Sequence, residues 1–209
     1  MTYEQRKQER QALVQDLMAQ DWDVFGTLKF VNGRTIGRSS ADKLLRSYWN
    51  RIDRMFFGKA AERQNMRVPR WCFAHEGGDT ENYHIHFALQ APIPDVDHMC
   101  CVLNAVWAQH HNQTAPLAKN WITPVTDRTA VASYLTREYW RLGSDTFLDA
   151  VSWDDRAAAN AFKDYNHLKQ ANRLSRAASL LWLKQAHQAL DHQKAAYEAS
   201  SDLQMMERG

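Results

Sequence analysis

The chain has 209 residues, 44% of them apolar, with eight Trp, seven Tyr and eight Phe. That is enough to bury a core and too many aromatics for a disordered protein. No apolar run is long enough to span a bilayer, the first ten residues are charged rather than signal-like, and Cys72, Cys100 and Cys101 form no metal or disulfide framework. A cytoplasmic protein with no membrane attachment is expected. The net charge of +2 hides an asymmetry: between Lys29 and Arg70 eleven basic residues face only Asp42, Asp53 and Glu62, a local balance of +8. Such a block is a candidate phosphate-binding surface.

In chain order, residues 4–20 read as a helix with Leu13, Val14 and Leu17 on one face. Asp21–Val31 reads as a strand, followed by Asn32-Gly33 and Gly37 as turn residues. Ser39 or Ser40 is placed to cap a helix running to Phe57, with Gly58 as its stop. Its apolar face carries Leu44, Leu45, Tyr48, Ile52, Met55 and Phe56, with Lys43, Arg46, Asn50 and Arg54 largely opposite. A hairpin of Val68–Glu76 and Tyr83–Gln90 follows. Asp95 or Asp97 starts a helix carrying Met99, Val102, Leu103, Val106 and Trp107. Asn120–Val125 is a short edge strand because of Pro124. Thr126 or Asp127 caps a helix expected to run through Leu142 to Gly143. From Ser152-Trp153-Asp154-Asp155 to Arg208 there is neither Gly nor Pro, and one or two long helices are expected. The expected layout is an N-terminal helix (1–20), a central domain (21–150) and a C-terminal helical extension (151–209). The central order β-α-β-β-α-β matches the split βαβ pattern, an α+β, ferredoxin-like antiparallel sheet.

The chemistry concentrates on Tyr83–Gln90. Side chains alternate along a strand, so His84 and His86 share one face and Tyr83, Ile85, Phe87 and Leu89 the other. A register placing Glu76 opposite His84 would bring Glu76, His84 and His86 together and send Trp71, Phe73 and His75 to the apolar side. Two imidazoles and a carboxylate suit a divalent ion with open positions, Mn²⁺ or Mg²⁺. On the 127–142 helix, Val131, Leu135, Tyr139 and Leu142 form the apolar stripe, whereas Tyr134 lies at its edge beside Arg137 and Arg141. A phenol is a weak nucleophile until deprotonated; a guanidinium favours the phenolate, and a metal polarises the phosphate it attacks. Packing on an amphipathic helix is the plainer role for such a tyrosine.

Phe25-Gly-Thr-Leu-Lys-Phe30, then Glu76 with His84-Ile-His86, then Tyr134-Leu-Thr-Arg137 resemble the three ordered motifs of the HUH endonucleases, and most closely their Rep class, the initiators of rolling-circle replication. Lys29 stands where a small polar residue is common, and Arg137 where the family has lysine. The resemblance spans residues 21–142. It implies a metal-dependent, site-specific single-stranded DNA nickase and strand transferase of a plasmid or phage in a bacterial host. Tyr134 would become joined to a 5′-phosphate, Arg137 would hold the phosphate or tune the tyrosine, and Glu76, His84 and His86 would hold the ion. Lys29, Lys43, Arg46 and Arg54 would track the DNA, an origin strand or hairpin. The chain has no P-loop, so a helicase as well as a polymerase would act in trans. The competing expectations are an HUH transposase, a non-catalytic single-strand-binding module, and a metal-dependent hydrolase without a covalent step.

Overall fold

The computed structural model describes residues 2–76, 83–154 and 184–196. Helix α1 (Tyr3–Met18) opens on a capping box: the Thr2 hydroxyl accepts the Gln5 N–H, and the Gln5 side chain accepts the Thr2 N–H. Strand β1 (Val24–Lys29), helix α2 (Arg38–Phe57), the one-turn helix α3 (Ala60–Arg63), β2 (Arg70–His75), β3 (His84–Leu89), α4 (Val96–Ala108) and β4 (Trp121–Pro124) follow. All pairings are antiparallel in the order β2-β3-β1-β4. The fold is α+β, with the strand order of the split βαβ pattern.

Two local expectations are corrected, one at α2 and one at the 127–142 helix. The N-cap of α2 is Gly37, with no side-chain cap, and neither Ser39 nor Ser40 fills that role. The expected 127–142 helix is broken. Asp127 does cap α5 (Arg128–Leu135) by accepting the Thr129 and Ala130 N–H groups. The Thr136 hydroxyl then donates to the carbonyls of Ala132 and Ser133, a local bond that competes with continuing the helix. The chain restarts as α6 (Tyr139–Leu142) and stops at Gly143, whose φ of 61° suits glycine.

Both faces of the sheet carry a packed layer. On one, α2 and α4 press Tyr48, Trp49, Phe56 and Trp107 against Val24, Leu28, Cys72, Ala74, Ile85, Phe87 and Leu89. Tyr48 and Trp49 are thus core residues. The bulk of these helix aromatics is accommodated by small residues on the strands. Within the sheet itself Gly26 makes room for its cross-strand neighbour: a Cβ there would lie 2.2 Å from the ring of Phe87 on β3. The opposite face packs Phe73 and Ala88 against Leu17, Trp22, Ala132 and Leu135, with Phe25, Trp71 and Phe147 at the margin.

This second layer overturns the expected hairpin register. His75 pairs with His84, Phe73 with His86 and Trp71 with Ala88. Trp71, Phe73 and His75 therefore share the face of His84 and His86, and Cys72 and Ala74 face α2. With apolar side chains on both faces of β2, burial alone does not choose between registers; the size of the α2 aromatics does.

Within the basic block Arg70 is drawn into the fold, and Arg67 is half-buried beside it. Buried Asp53 accepts both arms of the Arg70 guanidinium at 2.8 and 3.0 Å and the Val68 N–H at 2.9 Å, and Arg67 lies 3.6 Å away. Arg54 pairs with Glu62.

After α6 the chain crosses back over β2: Trp153 exchanges backbone hydrogen bonds with Arg70, and the Ser152 hydroxyl accepts the Cys72 N–H. The Ser152 hydroxyl also donates to the Leu148 carbonyl; the helix it was expected to start lies outside the described residues. The rest of the expected C-terminal helical stretch lies outside the described residues except 184–196, which is helical (α7) and buries Ala186 and Leu190. Lys194 of α7 pairs with Asp97 at 2.7 Å, and the Gln193 side chain donates to the Asn120 carbonyl.

Candidate metal and tyrosine site

The β2-β3 hairpin gathers three buried histidines, His75, His84 and His86, whose ring nitrogens can all lie within 4.8 Å of one another. The His84 and His86 Nε2 atoms are 3.0 Å apart. Two nitrogens each about 2.1 Å from one ion, at an angle between square and tetrahedral, stand roughly 3.0–3.4 Å apart. Thr27, opposite His86 on β1, holds the other ring nitrogen, Nδ1, at 2.8 Å from its hydroxyl. With that Nδ1–H donated to Thr27, the His86 Nε2 lone pair is directed at His84, the arrangement by which a ligand histidine is usually oriented.

His75 is held differently. Its Nε2–H donates to the Leu135 carbonyl at 3.3 Å, and its Nδ1 accepts the Arg137 Nε–H at 3.1 Å. It would join an ion by exchanging one of these bonds. His75 was expected on the apolar side and Glu76 in the cluster. The register moves His75 in, and Glu76, one residue past the strand, instead faces Arg38 and Arg141 at 3.8 and 3.9 Å. Among the described residues the cluster is made of imidazoles alone. The spacing of His75 from His84 and His86 was visible in the sequence; the parity of the register was not.

Tyr134, on α5, is 41% exposed, and its ring stands edge-on to His86 at 4.8 Å and to Phe25 at 5.7 Å. The Arg137 guanidinium lies 4.6 Å from its centroid. The break after Leu135 lets Arg137 turn back over Tyr134 and reach His75 at once. Tyr139 is buried, and its hydroxyl donates to Glu9 at 2.7 Å. Burial first, and the Glu9 carboxylate second, push its phenol up to about 12. Of the two tyrosines only Tyr134 is open to a ligand.

Helix α1 grips this layer through carbonyl oxygens: Arg10 donates to Thr136 and Ser133, and Arg6 to Trp140. The expected DNA contacts separate. Lys29 pairs with His84 across β1-β3 and is exposed beside the cluster. Lys43, Arg46 and Arg54 are exposed on α2, which packs on the other face of the sheet, so they do not border the site.

Burial lowers the proton affinity of the histidines. It pushes His75 down to about 3, against the Leu135 hydrogen bond that opposes the shift, and His84 and Arg137 add to the lowering. His86 is also held well below the usual imidazole range, by burial first and then by His75 and His84. Below the ordinary imidazole pKa of about 6.5 the unfolded chain therefore binds more protons than the folded one, and stability falls as pH drops. For His75 the loss runs from about 6.5 down to about 3. Urea midpoints in chelator should hold steady from pH 8 to 7 and fall between pH 7 and 5, less steeply in His75→Gln. An equal slope in His75→Gln removes His75 from this account.

No helix among the described residues is long and apolar enough to cross a membrane. No family model, curated protein or solved structure matches the chain.

Proposed function

We propose that the protein is a single-strand DNA nickase and strand transferase of the HUH Rep type, initiating rolling-circle replication from a plasmid or phage in a bacterial cytoplasm, with helicase and polymerase supplied in trans. The observation that carries the reading is the placement of an exposed tyrosine, Tyr134, edge-on to His86, with Arg137 against its ring and a buried histidine cluster beneath. A structural tyrosine on an amphipathic helix has no need of that company.

In the proposed step the Tyr134 Oη attacks the phosphorus of a backbone phosphate. The Oη–P bond forms and the P–O3′ bond breaks. The phenol proton leaves to water, and the 3′-oxygen takes one up, so a 5′-phosphotyrosyl link and a free 3′-OH result. A later attack by a 3′-OH reverses the link and releases the protein. Arg137, always charged, cannot act as the base; it favours the phenolate and binds the phosphate electrostatically. A divalent ion held by His84 and His86 would polarise the non-bridging phosphate oxygens. Imidazole donors favour Mn²⁺ over Mg²⁺, which prefers oxygen.

The test is a denaturing gel of the protein with labelled single-stranded oligonucleotides, random and candidate-origin, with Mn²⁺, Mg²⁺ or EDTA. A metal-dependent covalent band, with peptide mapping of the DNA remnant to Tyr134, is the expected result. Cutting without an adduct would make the protein a hydrolase, and binding without cutting a non-catalytic module.

A further inference from the structure

From the tyrosine site a groove of 1720 Å³ runs over β1 and β4 toward α7. It exceeds the roughly 300–1,000 Å³ of a typical small-molecule site. Its floor is the part of the histidine-bearing face that α5 leaves open. Trp121 pairs with Thr27 and Thr123 with Phe25, and because the intervening Ile122 points into the α2-α4 core, Trp121 and Thr123 face the groove. Trp121 is half-buried, a ring fixed by its strand with part of its surface in the open. Two strand spacings of about 4.8 Å separate it from His86, whose partner across β1 is the same Thr27.

The charges of the groove divide by sign. Its acids are already used: Asp127 caps α5, Asp95 accepts the His98 N–H at the start of α4, and Asp97 pairs with Lys194. Its lysines at the floor are not. Lys29, beside His84, and Lys119, just before β4, are exposed, and neither ammonium has a partner among the described residues. A flat aromatic ring between two available cations, leading from a nucleophile, has the chemistry of a single-strand track. The bases stack without sequence preference and the cations follow the phosphates.

We infer that this groove, and not the basic face of α2, carries the single-stranded DNA to one side of the scissile phosphate, with Trp121 stacking a base and Lys29 and Lys119 each neutralising a phosphate. The inference rests on the nickase reading for the location of the cut but not for the binding itself. Anisotropy of a fluorescent oligo-dT without metal tests it. Trp121→Ala should weaken binding about tenfold and Trp121→Phe should keep most of it. Lys29→Ala with Lys119→Ala should lower the slope of log affinity against log salt by about 1.4. Lys43→Ala with Arg46→Ala should bind as wild type. Wild-type affinity and salt slope in the Lys29/Lys119 pair, two exposed positions whose replacement leaves the core intact, would overturn the inference, as would a loss confined to the Lys43/Arg46 pair. Tighter binding of oligo-rU than oligo-dT would overturn it in favour of an RNA track. The adduct assay on the same samples separates the two ideas: wild-type adduct with unchanged binding in the groove variants sinks only the groove, whereas weakened binding with no wild-type adduct sinks only the nickase.

Discussion

Tyr134→Phe is expected to remove every trace of covalent protein–DNA product and at least a thousandfold of the cutting rate while leaving single-strand affinity within about twofold. The size follows from the chemistry: deleting one oxygen deletes the nucleophile, and an activated nucleophile working with electrostatic support accounts for several powers of ten. Folding should be untouched, because Tyr134 is 41% exposed and none of its ring contacts, with His86, Phe25, His75 and Arg137, uses the hydroxyl. Tyr139 is not expected to substitute. Its hydroxyl is buried against Glu9, on the far side of the helix break. Quantified adduct and cleavage bands under single-turnover conditions are the measurement. Residual adduct in Tyr134→Phe would mean that another side chain attacks.

The largest expected effect on stability lies at Asp53. Asp53→Ala should cost about 3–5 kcal/mol, because it strands the Arg70 guanidinium, itself only 4% exposed, without its counter-charge. Arg70 would keep the Val68 and Val151 carbonyls and the face of Trp49, 4.6 Å from its Cζ, but nothing anionic except through rearrangement. At roughly 2–4 °C per kcal/mol for a chain of this size, the melting temperature should drop by about 10 °C. Asp53→Asn should fall between, since the amide oxygen can still accept from Val68 or Arg70. Urea unfolding with unchanged m-values is the check. A loss below about 1 kcal/mol for Asp53→Ala would show that water reaches Arg70.

Much of the architecture was legible in the sequence. The order β-α-β-β-α-β, the cap at Asp127 and the stops at Gly58 and Gly143 follow from periodicity and punctuation, and they are found. The hairpin register was not legible, and the reason is physical. A strand buried on one face announces its orientation, whereas β2 offers Trp71 and Phe73 to one layer and Cys72 and Ala74 to another, so hydrophobicity is satisfied either way. The informative signal was size: Trp49 and Tyr48 on α2 need small partners, which Cys72 and Ala74 supply. The same parity decided whether Glu76 or His75 joined His84 and His86. For the basic block the sequence showed only the charge. Charge counted along the chain does not show which guanidinium is buried, and Arg70 sits beneath α2, bound to Asp53.

The grip of α1 has a consequence for how the parts of the molecule can be loosened. Only Leu17 of that helix is fully buried, with Leu13 and Val14 packed beside it; the rest of its hold is polar, Arg6 and Arg10 on the carbonyls of Trp140, Ser133 and Thr136 and Glu9 on the Tyr139 hydroxyl, with Tyr3 stacked on Trp140. Polar clasps of this kind open at far lower free energy than the apolar interface of α2 and α4. Loosening α1 would thus leave Tyr134 over the histidines, because α5 is held to the sheet separately, by Ala132 and Leu135 packed with Phe73 and Ala88 and by the Leu135 carbonyl on His75.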